Sequence, residues 1–216
     1  MTSSCLLCRS PCLRRSHFCT HCLNELPTLP PGVCRCSLHV TAEAGTLCGQ
    51  CLGRPPAFSR VISAYAYCYP IDQLLIRYKY QRRLALEPAL HSLWRRQLPE
   101  TGVDALVPIP MHWQRFIWRG FNQAARLAQG VSKEVGVPVM PVLSRQRRQP
   151  AQQGLDAPAR RSNLRDAFRL KGDVSGLRLA LIDDVVTTGA TAEAASACLL
   201  AGGAADVQVW SLFRTL

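Results

Sequence analysis

The stretch from Leu179 to Thr191, LALIDDVVTTGAT, constrains the fold more than any other part of the chain. Its first four residues are apolar without alternation, the pattern of a parallel strand buried on both faces. Asp183 and Asp184 follow, then Thr187-Thr188-Gly189-Ala190-Thr191 leads into an alanine-rich run that ends at Gly202-Gly203. Strand, small loop and helix in that order make a βα unit, and open α/β sheets bind ligands beyond the carboxyl ends of their strands. Paired acids at that place suit the two hydroxyls of a ribose. The three threonines supply hydroxyls, Gly189 is free to take positive φ, and the N–H groups entering a helix favour a phosphate-sized anion. An ordinary strand-to-helix turn with a threonine cap has a similar outline. The loop is not a Walker A, having no Gly-Lys-Ser/Thr ending, nor a dinucleotide fingerprint, having no G-x-G-x-x-G.

Upstream, Val61 to Tyr69 alternates and is β-branched and aromatic, which predicts a strand. Ile71, Leu74, Leu75 and Tyr78 repeat at helical spacing, and Leu86, Leu90, Leu93 and Trp94 resume the pattern. Asp104 to Ile109 predicts a second buried strand, Phe121 to Val135 a helix with one apolar stripe, and Val137 to Met140 a further strand. Val207 to Phe213 predicts the last one. This βαβ order points to a parallel sheet. From Leu143 to about Leu170 no period is visible and Arg145, Arg147, Arg148, Arg160, Arg161, Arg165 and Arg169 accumulate, the composition of an anion-handling lid. Trp113, Arg115, Phe116, Trp118, Arg119 and Phe121 interleave aromatics with arginines, which suits either base stacking or an apolar loop packed on a neighbour.

The 216 residues fit one ordinary domain plus a small appendage. Twenty-six Lys and Arg against fourteen Asp and Glu give +12, which attracts polyanions, nucleic acid or a phosphate-rich small molecule, or simply makes a solvated basic surface. No apolar segment approaches the roughly 20 residues needed to cross a bilayer, and residues 1–11 show no apolar signal run, so no membrane insertion and a cytoplasmic location are expected.

Nine of the eleven cysteines fall within the first 51 residues, eight of them in four pairs, a usage that reads as metal binding. Two residues between cysteines let both thiolates of a knuckle reach one tetrahedral ion, so Cys5, Cys8, Cys19 and Cys22 complete one Zn²⁺ site. Cys34, Cys36, Cys48 and Cys51 form a second candidate set. There Cys34-Arg35-Cys36 has a single intervening residue, which leaves His39 as an alternative donor; Cys12, His17 and His21 are nearby spares. Cys68 and Cys198 fall in a strand and a helix and read as core. Gly53-Arg54-Pro55-Pro56 is a linker, dividing a zinc-binding module at 1–56 from a larger domain at 57–216.

The Leu179–Thr191 stretch resembles the phosphoribosyl-pyrophosphate (PRPP) motif of type I phosphoribosyltransferases. Over nearly its full length the chain resembles the ComF family, phosphoribosyltransferase-like proteins linked to competence and DNA uptake. The likeness is carried by the cysteine knuckles, Arg54-Pro55-Pro56, Lys79-Tyr80, Val107-Pro108-Ile109-Pro110 and Arg119-Gly120-Phe121-Asn122-Gln123. Gln152-x-Gly154-Leu155, Arg161-x-Asn163-Leu164, Ala167-Phe168 and the PRPP motif complete it. Two departures stand out: Trp113, where a proline is usual after His112, and Cys34-Arg35-Cys36.

The resemblance implies a type I phosphoribosyltransferase-like α/β fold, a parallel sheet with flanking helices behind a small Cys-rich zinc module. It implies that Asp183 and Asp184 are catalytic and hold the ribose, and that Val185, Thr187, Thr188, Gly189, Ala190 and Thr191 complete the PRPP site. Lys79, Arg115, Arg119, Gln152 and Arg161 would serve pyrophosphate and the lid, with Ile109 to Arg119 as the pyrophosphate loop. Mg²⁺ would accompany PRPP, and one or two Zn²⁺ would be structural. The implied partners are PRPP, single-stranded DNA and a DNA-uptake helicase. The implied activity is phosphoribosyl transfer; the alternative is a single-stranded-DNA-binding factor whose PRPP pocket is a non-catalytic sensor.

Overall fold

The computed structural model describes residues 3–13, 16–29, 48–100, 102–146 and 167–215. The chain opens with a two-stranded antiparallel ribbon, β1 (Ser3–Ser4) and β2 (Pro11–Cys12), followed by short helices α1 (Thr20–Asn24) and α2 (Gly49–Gly53). Then come β3 (Arg60–Ala66), α3 (Ile71–Tyr80), a 3₁₀ turn at Leu84–Leu86 and α4 (Glu87–Arg95). The central part is β4 (Ala105–Pro108), α5 (Trp113–Arg119), α6 (Gln123–Val135) and the ribbon β5 (Leu143–Arg145) with β6 (Phe168–Leu170). The chain continues through β7 (Arg178–Val186), α7 (Ala190–Ala201) and β8 (Asp206–Arg214).

Four strands form one parallel sheet in the order β3-β8-β7-β4. Side chains alternate across it because successive strand residues point to opposite faces. On one face Ala180, Ile182, Leu106, Trp210 and Leu212 meet Leu74, Leu75 and Tyr78 of α3, Leu90 and Leu93 of α4, and Leu127 of α6 in one buried cluster. On the other, Leu179, Leu181, Val107, Val207 and Val209 meet Ala192, Ala195 and Leu199 of α7. Each large side chain so buried contributes about 1.5–3 kcal/mol relative to exposure. Glycine allows one close approach between helices: a Cβ at Gly130 of α6 would lie 2.4 Å from the His91 ring of α4.

The cysteine-rich segment shares these cores. Cys5, Phe18 and Leu26 join the first cluster, and Cys48 and Cys51 the second. The Ala66 N–H donates to the Pro27 carbonyl and fastens the segment further, and just past the linker Ala57 N–H donates to the Glu193 carboxylate, each at 2.8 Å.

Four expectations are corrected. The key strand does not stop at Ile182 but runs to Val186, because β8 continues to pair with it through Val185–Phe213 and Val186–Arg214. Val137 to Met140 is reduced to a single parallel bridge, Leu106 to Val139, flanked by the hydrogen bonds Leu106 N–H to Pro138 and Met140 N–H to Leu106. The two ends of the aperiodic stretch pair as β5 and β6, so its base is a ribbon rather than a loop. Cys68 lies beyond the end of β3 and is exposed.

Candidate functional site

Asp183 and Asp184 are consecutive on β7, so their carboxylates leave the strand on opposite faces. Asp184 points to the side covered by α3 and α6. It is 3 % exposed, and its Oδ2 pairs with Nζ of Lys79, the next-to-last residue of α3, at 2.6 Å. Arg119, the last residue of α5, is buried close by. It donates from Nη1 to Gln123 Oε1 at 2.7 Å and lies 5.4 Å from the centre of the Tyr80 ring. Burial lowers the pKa of Arg119, and the negative charge of Asp184 opposes that shift. The Arg119 Nε has no hydrogen-bond partner among the described residues.

Asp183 looks the other way, in register with Ser211, whose hydroxyl lies 2.6 Å from that of Ser63 on β3. Part of its surface stays open, yet the protein atoms crowded around it strip away hydration. That desolvation, followed by the adjacent charge of Asp184, raises the Asp183 carboxyl well above its ordinary 3.8. Backbone donors orient both acids: Asp184 N–H to Asp183 Oδ1 and Val185 N–H to Asp184 Oδ1, each 2.8 Å.

Beyond Val186 the loop turns through Gly189 at φ 75°, a left-handed conformation that favours glycine, and α7 begins at Ala190 without a side-chain cap. Thr188 Oγ1 accepts weakly from Ala190 N–H at 3.4 Å. Thr187, Thr188 and Ala190 are exposed, while Val185 and Thr191 are half-buried. The open N–H groups of the helix start and the surrounding hydroxyls form a concavity suited to an anion.

Arg214, at the end of β8, was not singled out from the sequence. It is 2 % exposed, and its Nη1 donates to the Val186 carbonyl at 2.7 Å and to the Thr187 carbonyl, so a buried cation fixes the entry of this loop. Its signal was a lone arginine closing the apolar run Val207 to Phe213.

Of the residues expected around pyrophosphate, Lys79 and Arg119 converge on Asp184. Arg115 lies exposed on α5, near enough to Arg119 for like-charge repulsion to lower the pKa of Arg119 further. Gln152 and Arg161 lie outside the described residues. The expected pyrophosphate loop contains a helix from Trp113, with His112 Nδ1 accepting from Gln114 N–H at 3.3 Å as its N-cap.

At the other end of the chain the sulfurs of Cys5, Cys8, Cys19 and Cys22 all lie within 4.8 Å of one another. Cys8 and Cys19 are 3.6 Å apart, close to the roughly 3.8 Å that a tetrahedron of about 2.3 Å Zn–S bonds requires. Hydrogen bonds from Ser10, chiefly its side chain, hold the Cys8 thiol at about 6, so it readily supplies a thiolate. Four thiols at this spacing fit one structural metal ion. Cys12 is committed elsewhere, donating to the Ser3 and Ser16 carbonyls at 3.3 and 3.4 Å. Of the second set, Cys48 and Cys51 are buried at α2, and Cys34 and Cys36 lie outside the described residues.

A parallel sheet with helices on both faces, acids at the carboxyl end of a central strand and an N-terminal four-cysteine cluster define a type I phosphoribosyltransferase-like α/β protein with a candidate metal module. Relatives identify it further. The chain is 37 % identical over 226 aligned residues to the DNA utilization protein YhgH of Salmonella typhimurium, covering 98 % of this chain and 97 % of that one. It is 31 % identical to competence protein F of Haemophilus influenzae, covering 97 % and 96 %. It therefore belongs to the ComF family. Competence protein ComFC of Bacillus subtilis is 31 % identical over 71 % of this chain and 63 % of its own length. No family model matches the chain. Among solved structures it is similar to the glutamine PRPP amidotransferase of B. subtilis, at 19 % identity and a TM-score of 0.45 over 63 % of this chain and 30 % of that one. It is also similar to the purine phosphoribosyltransferase of Pyrococcus horikoshii, at 16 % identity and 0.36 over 59 % and 81 %. Among the described residues no helix is long and apolar enough to cross a membrane.

Proposed function

We propose that the chain binds PRPP with Mg²⁺ at the carboxyl end of β7 and acts in the use of DNA, as the name of the YhgH relative states for that protein. The observation that carries this reading is the pairing of Asp184 with Lys79, with Arg119 buried close by and Asp183 on the opposite face of the same strand end, ahead of an uncapped helix start whose loop is fixed by Arg214. Asp183 and Asp184 address the ribose hydroxyls. The 187–191 loop and the start of α7 take the 5′-phosphate, and Lys79 and Arg119 face the pyrophosphate. Mg²⁺, held mainly by substrate oxygens and water, would neutralise part of the pyrophosphate charge. If an acceptor attacks C1 of the ribose, pyrophosphate leaves through an oxocarbenium-like centre, and fixed charge does more than proton transfer.

Calorimetric titration of the zinc-replete protein with PRPP and Mg²⁺, beside Asp183→Asn and Asp184→Asn, tests the reading. Saturable binding that both substitutions abolish is the expected result, and pyrophosphate release then identifies acceptors. Absence of binding by the wild-type chain overturns the site.

A second reading, a single-stranded-DNA-binding factor whose pocket senses PRPP without turnover, is favoured by the charge pattern. The stretches 73–86 and 105–133 contain no Asp or Glu, whereas Arg77, Arg82, Arg83 and Arg115 within them are exposed.

A further inference from the structure

We propose that α5 and the tail of α3 form the platform on which this protein stacks the bases of single-stranded nucleic acid; the inference rests on the second reading above. α5 turns Trp113, Phe116, Ile117 and Trp118 outward at 44, 49, 71 and 53 % exposure, and Tyr80 and Leu84 continue the surface at 57 and 41 %. Trp113, Phe116 and Ile117 share one face of α5 and Trp118 turns from its side toward Tyr80; large apolar side chains left wet in this way mark a contact site, because a monomer gains nothing by hydrating them.

The disposition of the rings points to the occupant. The aromatic rings are about half covered. Trp118 leans on Tyr80 with centroids 6.0 Å apart, and Trp113 on His112 at 5.9 Å. Half-exposed rings braced by a neighbouring ring can support stacking. A wedge that enters lipid stands clear of the surface, as only Ile117 does here. The Arg82 guanidinium donates to the Trp118 carbonyl and so fastens α5 to the tail of α3, making one surface of the two.

Charge agrees. Arg115 shares α5 with the rings, Arg82 reaches the Trp118 carbonyl, Arg77 and Arg83 are exposed on either side of Tyr80 in the chain, and neither 73–86 nor 105–133 contributes an acid. Such a surface complements a phosphate backbone and would repel an acid-poor, basic partner. Stacking selects single strands, since duplex bases already stack on one another. Tyr80 follows Lys79 in the chain and its ring lies over Arg119, so the platform borders the Asp184 side of the pocket without lining it with its outward residues.

The test uses the full chain and a fluorescent oligo-dT strand, read by anisotropy at several salt concentrations. Phe116→Ser, Ile117→Ser and Trp118→Ser together should weaken binding about tenfold or more with little change in the salt slope. Arg82→Ala, Arg83→Ala and Arg115→Ala together should flatten that slope. Quenching of tryptophan fluorescence on binding should disappear with Trp113→Phe, Trp118→Phe. PRPP titration of Leu84→Ser, which lies outside the expected pyrophosphate loop, should match wild type while oligo-dT binding weakens, which separates failure of the platform from failure of the pocket. Wild-type oligo-dT affinity in the triple serine variant overturns the proposal. So does absence of oligo-dT binding by the wild type, or binding to phosphatidylglycerol vesicles as the only property the triple serine variant loses.

Discussion

α5 and α6 are separated by only Gly120, Phe121 and Asn122, and they dispose of the same apolar pattern in opposite ways. In α6, Ala124, Leu127, Ala128 and Val131 recur at i, i+3, i+4 and i+7 and are all 2 % exposed or less. In α5, Trp113, Phe116 and Ile117 recur at i, i+3 and i+4 and remain in contact with water. Helical periodicity shows that a helix has an apolar face; whether the fold covers that face depends on what stands opposite. For α6 it is α4 and the sheet. For α5 the nearest charge from another element is Arg82, which lies just past the end of α3 in a stretch that is equally exposed.

Substitutions can sharpen or break this contrast. The largest loss is expected on the covered side, where Lys79→Met strands Asp184 as a buried, uncompensated charge. Urea unfolding should show about 3–5 kcal/mol less stability, and a smaller change would mean that water or Arg119 takes over the lysine's part. Leu127→Ala should cost about 2–5 kcal/mol in the same measurement, by lost burial and the cavity it leaves.

Gly130→Ala sets two effects against each other. Alanine improves helix propensity by about 1 kcal/mol, but its methyl would sit 2.4 Å from the His91 ring, and overpacking costs about 1–3 kcal/mol. A net loss is expected; a raised melting temperature would show that His91 swings away.

The fourth effect appears in the pH profile. Folded Asp183 keeps its proton to higher pH than an unfolded aspartate, so the folded chain binds more protons from about 3.8 upward and loses stability as pH rises through that window. Asp183→Asn should therefore melt higher than wild type at pH 7, and the gap should close as pH falls toward 3.8. Parallel profiles would mean that Asp183 titrates normally. Smallest of all, Ile117→Ser should change stability by no more than about 0.5 kcal/mol, because nothing is uncovered that was not already wet. A loss as large as that of Leu127→Ala would abolish the contrast between the two helices.

The covered half of the molecule was the legible half. Ile71–Tyr80 and the α6 stripe emerged at their observed places because their periodicity is also their burial. The four-cysteine cluster followed from spacing alone, since a knuckle's geometry is local. What sequence spacing could not supply were contacts between distant residues. Lys79 and Asp184 stand far apart in the chain, and Arg214 reaches the phosphate-sized loop only through the β7–β8 ladder. The strand expected at Val137 to Met140 has suitable residues but only one rung of neighbour to pair with.

The order of strands in the sheet bears on how the chain is made. β8 lies between β3 and β7, yet it emerges from the ribosome after both. Arg60 pairs with Gln208, a contact that closes a loop of most of the chain. Until residues 206–214 are available, β3 has no neighbour within the sheet, β7 has only β4, and Arg214 is not there to hold Val186 and Thr187. Synthesis delivers the cysteine cluster first and the completed central sheet last. A nascent chain can therefore sequester metal while its central sheet edges stay open, and it depends for that interval on whatever shields unpaired strands.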